Sequence, residues 1–365
     1  MTELYIPNLS VPPEIKLALT NLSAQYAIER EVTKGANGFL FFGTNRVLNT
    51  KIAIKIYYWG SDSAFHAEPQ NLAQIASANV IPVTDAAYID DRWAYFVTPY
   101  CSGGDLDDLL ERSEIGNVRA LKLVADILSG LSHLHAQRLL HRDLKPSNIY
   151  ISESGGAVIG DFGSIKKMPQ GHNSIPASSN SVLYRPPESL ETNEYGFAGD
   201  IYQTGMTLYQ LLGGYLPYEE TAWLTKQELA HFTFLQGPAD RSIYLDQCIH
   251  ARIRKGKVVN TDSLPPWVCD SLKRVVRKAC HLTKEQRFES AAHFLAKLNE
   301  ISAEVRDWQV VRGHPTLIAP TSYRVVAADG NYQAQKRSAS VVWRNDRSIL
   351  KPSLKEAIDA INQKN

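Results

Sequence analysis

Four polar side chains in one short stretch of the chain carry the groups that phosphoryl transfer requires. Asp143 and Lys145 lie two residues apart, Asn148 follows, and Asp161 comes after a strand-like segment and a turn. A carboxylate can orient an attacking hydroxyl, and an ammonium group can neutralise the transferred charge. Carboxylate and amide oxygens are hard ligands that suit Mg²⁺. The pattern therefore predicts a phosphoryl-transfer site between residues 141 and 163.

Two motifs contain these residues and identify a family. Residues 141–148 read H-R-D-L-K-P-S-N and residues 161–163 read D-F-G, which resembles the H-R-D-x-K-x-x-N and D-F-G signatures of protein kinases. The chain therefore resembles the eukaryotic-type serine/threonine protein kinases. The resemblance implies an α+β, bilobal fold with a small β-rich N-lobe and a larger helical C-lobe. A polar loop that only caps a helix is the alternative, and the more distant motifs below argue against it.

The resemblance also gives each residue a role. Asp143 would accept a hydrogen bond from the substrate hydroxyl, and Lys145 would neutralise the γ-phosphate of ATP during transfer. Asn148 and Asp161 would be the two protein ligands of Mg²⁺. A lysine two residues after the catalytic aspartate is typical of the serine/threonine enzymes, so we expect Ser and Thr as acceptors.

A glycine-bearing turn lies upstream, where the family covers the ATP phosphates. Gly35 and Gly38 separate two strand-like runs, at residues 28–32 and 39–42. Glycine would let backbone N–H groups approach the phosphate oxygens, because no side chain keeps them apart. Thr33 stands at the position of the family's first glycine, so two of three glycines match. An ordinary β-hairpin turn accounts for this short pattern equally well.

Lys55 ends an alternating strand, residues 52–55, that reads I-A-I-K and is similar to the family's V-A-I-K. The resemblance implies that this lysine holds the α- and β-phosphates and pairs with a glutamate of the next helix. Glu68 is the only glutamate between Lys55 and Glu111, so it is the expected partner. Pro69 suits only the first turn of a helix, and we expect the helix either to begin near Glu68 or to be distorted there.

A β-rich run breaks at residues 99–105, P-Y-C-S-G-G-D, which resembles the hinge between the lobes. By this resemblance the Pro99 carbonyl and both backbone groups of Cys101 would contact adenine, with Thr98 at the back of the pocket. Asp105 resembles the hinge acid that contacts ribose. It could equally cap the helix that follows, because aspartate is a preferred N-cap residue.

Residues 164–185 resemble an activation segment, which ends at 186–188 in P-P-E, a variant of the family's A-P-E. Such a segment separates protein kinases from small-molecule kinases. Arg142, beside the catalytic aspartate, could pair with a phosphate on this segment. We hypothesise autophosphorylation there, and a solvated loop is the equally weighted alternative. The candidate acceptors are Ser174, Ser178 and Ser179.

Three further features are expected to support the site. Asp200 matches a family aspartate that braces the catalytic loop from a neighbouring helix, and Arg287 matches the arginine that pairs with Glu188. Leucine and valine recur at helical spacing between residues 121 and 134. This spacing predicts a buried helix that leads into the catalytic loop.

Composition indicates an ordinary globular protein. The chain has 365 residues, 44% of them hydrophobic, and a formal charge of +1, which excludes a strongly acidic or strongly basic protein. Its four cysteines show no C-x-x-C spacing, so we expect no disulfide framework and a cytoplasmic location. There is no apolar run of about 18 residues and no leader pattern, so we expect no membrane association.

We expect the kinase domain to cover residues 26–303. The expected divisions of the chain are a lead-in, the N-lobe, the hinge, the C-lobe and an accessory module, at residues 1–25, 26–98, 99–105, 106–303 and 308–365. In the module, strand-like runs lie at residues 308–312, 323–327, 332–336 and 340–343, and an amphipathic helix at 354–361. We predict a small β-β-β-α module joined to the kinase domain through residues 313–321.

The accessory module is basic, with nine Lys/Arg and four Asp/Glu in residues 308–365. Because this excess is modest, we favour a docking module, for protein substrates or for the kinase's own lobes, over a nucleic-acid surface. Both partners remain open at this stage.

The sequence therefore predicts an ATP- and Mg²⁺-dependent serine/threonine protein kinase that acts on protein substrates, in phosphorylation-based signalling. The alternative is a catalytically weak, kinase-like scaffold, which Thr33 and Pro69 favour. The joint presence of Lys55, Asp143, Asn148 and Asp161 argues against it. A small-molecule kinase is a third interpretation, and the full activation segment disfavours it.

Overall fold

The chain forms two lobes followed by a small module, with the bilobal α+β architecture that the motifs predict. The computed structural model describes residues 3–32, 38–60, 67–112, 115–177, 181–338 and 342–364, with the main chain alone at 67, 68 and 71. No helix in these ranges is long and apolar enough to cross a bilayer.

The small lobe is built on an antiparallel sheet of five strands in the order β1-β2-β3-β5-β4. The strands are β1 (Tyr26–Val32), β2 (Gly38–Asn45), β3 (Lys51–Tyr58), β4 (Asp85–Tyr88) and β5 (Trp93–Pro99), and the helices are α1 (Pro13–Leu22) and α2 (Ala67–Ala73). In β3 every second residue faces the core, which buries Ile52, Ile54 and Ile56. Helix α1 adds Ile15 and Leu19 to the same core, so the lead-in is part of this lobe.

The large lobe is mainly helical. Its helices are α3 (Leu106–Arg112), α4 (Asn117–Ala136), α5 (Pro187–Glu191), α6 (Phe197–Leu211), α7 (Lys226–Phe234), α8 (Pro238–Arg254), α9 (Asp270–Ala279) and α10 (Ala291–Ser302). Its short strands pair as β6 (Leu139–Leu140) with β9 (Lys166–Lys167), β7 (Ile149–Ile151) with β8 (Ala157–Ile159), and β10 (Ile175–Pro176) with β11 (Glu194–Tyr195). Helix α4 is the buried helix that the leucine spacing predicts, and it ends five residues before His141.

Glu188 and Arg287 form the expected ion pair at the base of the large lobe. Arg287 donates two parallel hydrogen bonds to the Glu188 carboxylate, at 2.8 and 2.7 Å. Its side chain is 0% exposed, and it also donates to the carbonyls of His281 and Ala198 at 2.8 and 2.9 Å. A buried arginine with this many acceptors fixes the end of the activation segment to the helical lobe.

The accessory module has more strands than we predicted. It is a five-stranded antiparallel sheet with one helix: β12 (Trp308–Val311), β13 (His314–Leu317), β14 (Ser322–Ala328), β15 (Asn331–Arg337), β16 (Arg344–Lys351) and α11 (Leu354–Lys364). The expected β-β-β-α order is therefore incomplete, and residues 313–321 contain a strand instead of a plain connection. Residues 342 and 343 precede the last strand, and 340 and 341 lie outside the described residues.

The sequence analysis did not predict β13 or β16 at their observed positions, and each omission has a physical cause. Pro315 lies in β13 and cannot donate to a ladder, which disfavours a strand in sequence. Pro315 lies opposite Val310 of β12, and on its other side β14 pairs only with residues 316 and 317. Because no pair with β14 involves Pro315, the sheet tolerates its missing N–H. Strand β16 is polar, and it buries Asp346 between Lys336 and Lys364, at 3.5 and 3.0 Å.

The module packs on the large lobe through its first strand. Trp308 of β12 is fully buried, and its indole nitrogen donates to Asn362 Oδ1 of α11 at 3.0 Å. Asn117, the first residue of α4, donates to the carbonyls of Trp267 and Arg306 at 3.2 and 3.3 Å. The start of α4 is thus bonded to the chain segment that leads into the module.

Replacing Arg287 with alanine should lower the free energy of unfolding by about 3–5 kcal/mol, because a buried carboxylate and several carbonyls lose their donor. Urea denaturation followed by far-UV circular dichroism measures this change. Arg277→Ala, on the exposed side of α9, is the matched control and should change stability by less than about 0.5 kcal/mol. Equal effects of the two substitutions would contradict the structural role of Arg287.

Candidate active site

Asp200 of α6 fixes the backbone of the catalytic loop. Its carboxylate is 0% exposed and accepts hydrogen bonds from the backbone nitrogens of His141 and Arg142, at 3.0 and 2.9 Å. His135 Nε2 and the Tyr195 hydroxyl contact it at 2.9 and 2.8 Å. Burial alone would raise the pKa of Asp200, but the hydrogen bond and charge of His135, the charge of His141 and the Arg142 backbone hydrogen bond together lower it. The group is therefore a stable carboxylate.

Asp143 lies in this loop with its two oxygens in different surroundings. Oδ2 accepts from Lys145 Nζ and from Asn148 Nδ2, both at 3.0 Å. Oδ1 is buried and has no hydrogen-bond partner among the described residues. A buried carboxylate oxygen without a partner is costly, so Oδ1 is the atom in the loop that is ready to accept a hydrogen bond from a substrate.

Lys145 connects the loop to the activation segment. Besides its contact with Asp143, its ammonium group donates to Ser181 Oγ at 2.7 Å. Ser181 has a left-handed backbone, with φ of 31°, a conformation that is uncommon for a residue with a side chain. The cation thus lies between the Asp143 carboxylate and the activation segment.

Asp161 and Lys55 meet across the cleft between the lobes. Lys55 Nζ of β3 lies 3.4 Å from Asp161 Oδ1, and it also lies over the ring of Phe96 on β5. Asp161 has a left-handed backbone, with φ of 52°. Burial would raise its pKa, but the charge and hydrogen bond of Lys55 and the charges of His141 and Lys145 together lower it. Asp161 is therefore kept ionised, as a cation ligand requires.

The oxygens of this site suit Mg²⁺. Asn148 uses its Nδ2 for Asp143, at 2.7 Å to the carbonyl oxygen and 3.0 Å to Oδ2, so the amide oxygen is the end left for a cation. The described residues contain no group of three or more His, Cys, Asp or Glu side chains that could hold a metal ion. Magnesium at Asn148 and Asp161 would therefore take its other ligands from phosphate and water.

The hinge residues line the same cleft. Thr98 is buried, and Pro99 ends β5 opposite Ile52 of β3. Asp105 caps α3, since its Oδ1 accepts from the backbone nitrogen of Asp108 at 2.8 Å. The structure therefore shows the capping alternative, and the ribose contact stays a prediction. Burial raises the pKa of the Cys101 thiol to about 11, which keeps it neutral.

Part of the expected phosphate-binding region lies outside the described residues. This applies to Gly35 and to the side chain of Glu68, so the pairing of Glu68 with Lys55 stays a prediction. Helix α2 begins at Ala67, which places Pro69 in its first turn.

Gly38 is the first residue of β2, where an added Cβ would lie 2.1 Å from the Ile56 carbonyl oxygen. The neighbouring strand therefore requires glycine at this position.

Two arginines hold the activation segment by its backbone. Arg142 donates to the carbonyls of Ser164 and Pro176 at 3.2 and 3.0 Å. Arg138, which the sequence analysis missed, donates to the carbonyls of Pro169 and His172 at 2.7 and 3.0 Å. Of the candidate acceptors, Ser174 is half-buried, and Ser178 and Ser179 lie outside the described residues.

Tyr150 and Gly160 form a matched pair that the sequence analysis also missed. Tyr150 lies in β7, two residues after Asn148, and forms a backbone bridge with Asp105 of the hinge. A Cβ at Gly160 would lie 2.3 Å from a Tyr150 ring carbon. Burial raises the pKa of Tyr150, and the charge of Asp161 adds to this. The Tyr150 ring therefore packs directly against Gly160, whose missing side chain provides its space.

Comparisons with known proteins agree with this geometry. The protein kinase domain family matches residues 26–297. Ribosomal protein S6 kinase alpha-3 of Mus musculus is 33% identical over 218 residues, which is 58% of this chain and 27% of that protein. CBL-interacting serine/threonine-protein kinase 21 of Arabidopsis thaliana is 26% identical over 305 residues, which is 77% of this chain and 73% of that protein.

A bacterial relative is similar as well. The probable serine/threonine-protein kinase PknB of Lactococcus lactis subsp. lactis is 27% identical over 206 residues, which is 53% of this chain and 32% of that protein. The chain thus spans about a quarter of the length of the mouse relative and about a third of the bacterial one. Because the family match covers well over half of the chain and includes the loop at residues 141–163, the chain belongs to the protein kinase family.

Proposed function

We propose that this chain is an ATP-dependent serine/threonine protein kinase, which transfers the γ-phosphate to Ser or Thr hydroxyls of protein substrates. The observation that carries the proposal is the arrangement at Asp143. One carboxylate oxygen is fixed by Lys145 and Asn148 at 3.0 Å, and the other is buried without a partner among the described residues. A general base needs such a pre-oriented free oxygen.

The residues of the site divide the reaction between them. Asp143 Oδ1 accepts the hydrogen bond of the substrate hydroxyl and takes its proton as the hydroxyl oxygen bonds to the γ-phosphorus. The bond from that phosphorus to the β,γ-bridging oxygen breaks, and ADP leaves. Lys145 lies beside it and neutralises the charge of the transferred phosphoryl group. Lys55 would hold the non-transferred phosphates of ATP, while Asn148 and Asp161 would hold Mg²⁺. Magnesium, when bound, neutralises charge on the phosphate oxygens.

The activation segment favours protein substrates. Ser181 is bonded to Lys145 at 2.7 Å, so the segment forms a wall directly beside the catalytic group. Glu188 and Arg287 anchor the end of that wall in the large lobe. We further propose that the segment carries autophosphorylation sites, although Arg142 and Arg138 hold its backbone without them.

We propose docking as the role of the accessory module, and the cytoplasm as the location of the protein. The module presents basic side chains against Trp343, since the guanidinium carbons of Arg324 and Arg337 lie 4.8 and 4.5 Å from its ring centroid. These cation–π contacts occupy a ring face on which a nucleic-acid base could otherwise stack. This favours a protein partner over a nucleic acid.

Replacing Asp143 with asparagine should lower kcat by about 10²–10⁴-fold, because the substrate hydroxyl loses its base. Transfer of radiolabelled phosphate from ATP to a cell lysate measures the activity, and intact-mass analysis of the kinase itself measures autophosphorylation. Asp359→Asn, on the exposed face of α11, is the control and should match wild type. Equal turnover by the Asp143 variant would refute the mechanism and leave the scaffold alternative.

Replacing Gly160 with alanine should raise the KM for ATP about tenfold or more, because the new methyl group displaces the Tyr150 ring into the nucleotide cleft. The double variant Tyr150→Leu/Gly160→Ala should recover most of the loss, since the smaller side chain frees the space. ATP titrations at saturating protein substrate measure both values. Additive effects of the two substitutions would show that the residues are not coupled.

Filter binding of radiolabelled DNA and RNA, at several salt concentrations, tests the role of the accessory module. We expect no binding above background, because the ring of Trp343 is covered by Arg324 and Arg337 of the module itself. Binding that weakens steeply with salt, and that is lost in Arg324→Ala/Arg337→Ala, would instead identify a nucleic-acid surface.

A further inference from the structure

A cavity of about 280 Å³ lies next to the catalytic loop, on the large lobe. Lys145 forms one wall, and its ammonium group is 3.0 Å from Asp143 Oδ2. Val182 and Leu183 of the activation segment and Ile249 of α8 form an apolar wall. An extended chain advances roughly 3.3 Å per residue. A peptide whose Ser or Thr lies at Asp143 can therefore place a side chain from within about three residues into this cavity.

The remaining walls are acidic and aromatic. Asp107 of α3 and Glu220, just before α7, contribute carboxylates, and Tyr218 and Trp223 contribute rings. The Tyr218 hydroxyl donates to Asp107 Oδ1, and the Trp223 indole nitrogen donates to the Pro217 carbonyl at 3.0 Å. Both rings are therefore fixed at their polar ends while they line the cavity.

The carboxylates of this cavity lack a cation of their own. Neither Asp107 nor Glu220 forms an ion pair with another described residue. Burial raises the pKa of Asp107, and the charges of Asp105 and Glu111 add to this rise, which the hydrogen bond from Tyr218 and the charge of Lys145 only partly offset. The only lysine in the lining, Lys145, is already bonded to Asp143 and Ser181. A cation that enters the cavity would thus meet two carboxylates, while the one lysine of the lining is shared with Asp143 and Ser181.

We propose that this cavity binds an arginine side chain of the substrate, and that the kinase selects proteins with an arginine within three residues of the phosphorylated Ser or Thr. The guanidinium group pairs with Asp107 and Glu220 and lies against the rings of Tyr218 and Trp223. Its aliphatic stem lies along Val182 and Ile249. Arginine fits better than lysine, because its planar group stacks on aromatic rings and forms two parallel hydrogen bonds with a carboxylate. This inference rests on the proposed kinase function.

Synthetic peptides test the proposal with the full-length chain. A parent peptide with one central Ser and otherwise neutral residues is compared with peptides that carry a single Arg, Lys or Glu at each position from three before to three after the Ser. We expect Arg at one position to raise kcat/KM about 10- to 100-fold over the parent, with Lys lower and Glu below the parent. The double variant Asp107→Asn/Glu220→Gln should reduce this ratio to about threefold or less.

A matched control separates the cavity from general surface charge. Glu289→Gln, whose side chain is 86% exposed and far along the chain from the cavity, should leave the Arg preference and the parent rate unchanged. Binding gives a second readout that needs no catalysis. A peptide with Ala in place of the Ser and Arg at the preferred position should quench tryptophan fluorescence of wild type and of Asp143→Asn, but not of Trp223→Phe.

The outcomes distinguish the two proposals. If the wild-type protein phosphorylates peptides but shows no Arg preference at any position, the arginine site is wrong and the kinase function stands. A preference that survives Asp107→Asn/Glu220→Gln places the arginine elsewhere and also overturns the site. If no peptide is phosphorylated and Asp143→Asn changes nothing, the kinase function fails. Saturable, cavity-dependent binding of the Arg peptide would still support the site in that case.

Discussion

The geometry of the active site depends on Asp200. This carboxylate binds backbone nitrogens of the catalytic loop, so it fixes the path of the main chain itself. Its two oxygens accept from consecutive backbone nitrogens, those of His141 and Arg142, and Arg142 has a left-handed backbone with φ of 71°. A non-glycine residue holds that conformation only when its surroundings compensate the cost. The buried carboxylate supplies this compensation, and the next residue in the chain is Asp143.

The same network reaches the activation segment. Tyr195 and Gln203 extend it, since the Tyr195 hydroxyl contacts Gln203 Oε1 at 2.9 Å and Gln203 Nε2 donates to the Tyr184 carbonyl at 3.2 Å. Together with the arginine contacts to backbone carbonyls, this gives the segment internal anchors at both ends. A phosphate added to the activation segment would therefore change the position of a segment that these contacts already hold. To bind Arg142, the phosphate would have to compete with the carbonyl oxygens of Ser164 and Pro176.

The sequence could predict the chemistry of the site because Asp143, Lys145, Asn148 and Asp161 are close along the chain and chemically distinctive. It could also predict α4, since leucines at helical spacing are typical of a helix that faces a core. It did not reveal the pairing of Tyr150 with Gly160, because only the folded chain shows which ring occupies the space beside a glycine. Gln203 was within reach, as it lies three residues after Asp200 on one helix face. Strand β13 was not predicted because it contains Pro315, which lacks a backbone N–H. The strand accommodates this proline because β14 pairs only with residues 316 and 317, a feature that the sequence does not show.

Helix α4 gives the accessory module a physical connection to the active site. Asn117 at its start binds the carbonyls of Trp267 and Arg306, and His135 near its end binds Asp200. The helix has 20 residues and is therefore about 30 Å long. A partner that docks on the module and shifts Arg306 would therefore act on the first turn of α4. The last turn of the same helix contacts Asp200, which fixes the catalytic loop. Because α4 is buried along most of its length, it can transmit such a shift only as a small movement of the whole helix.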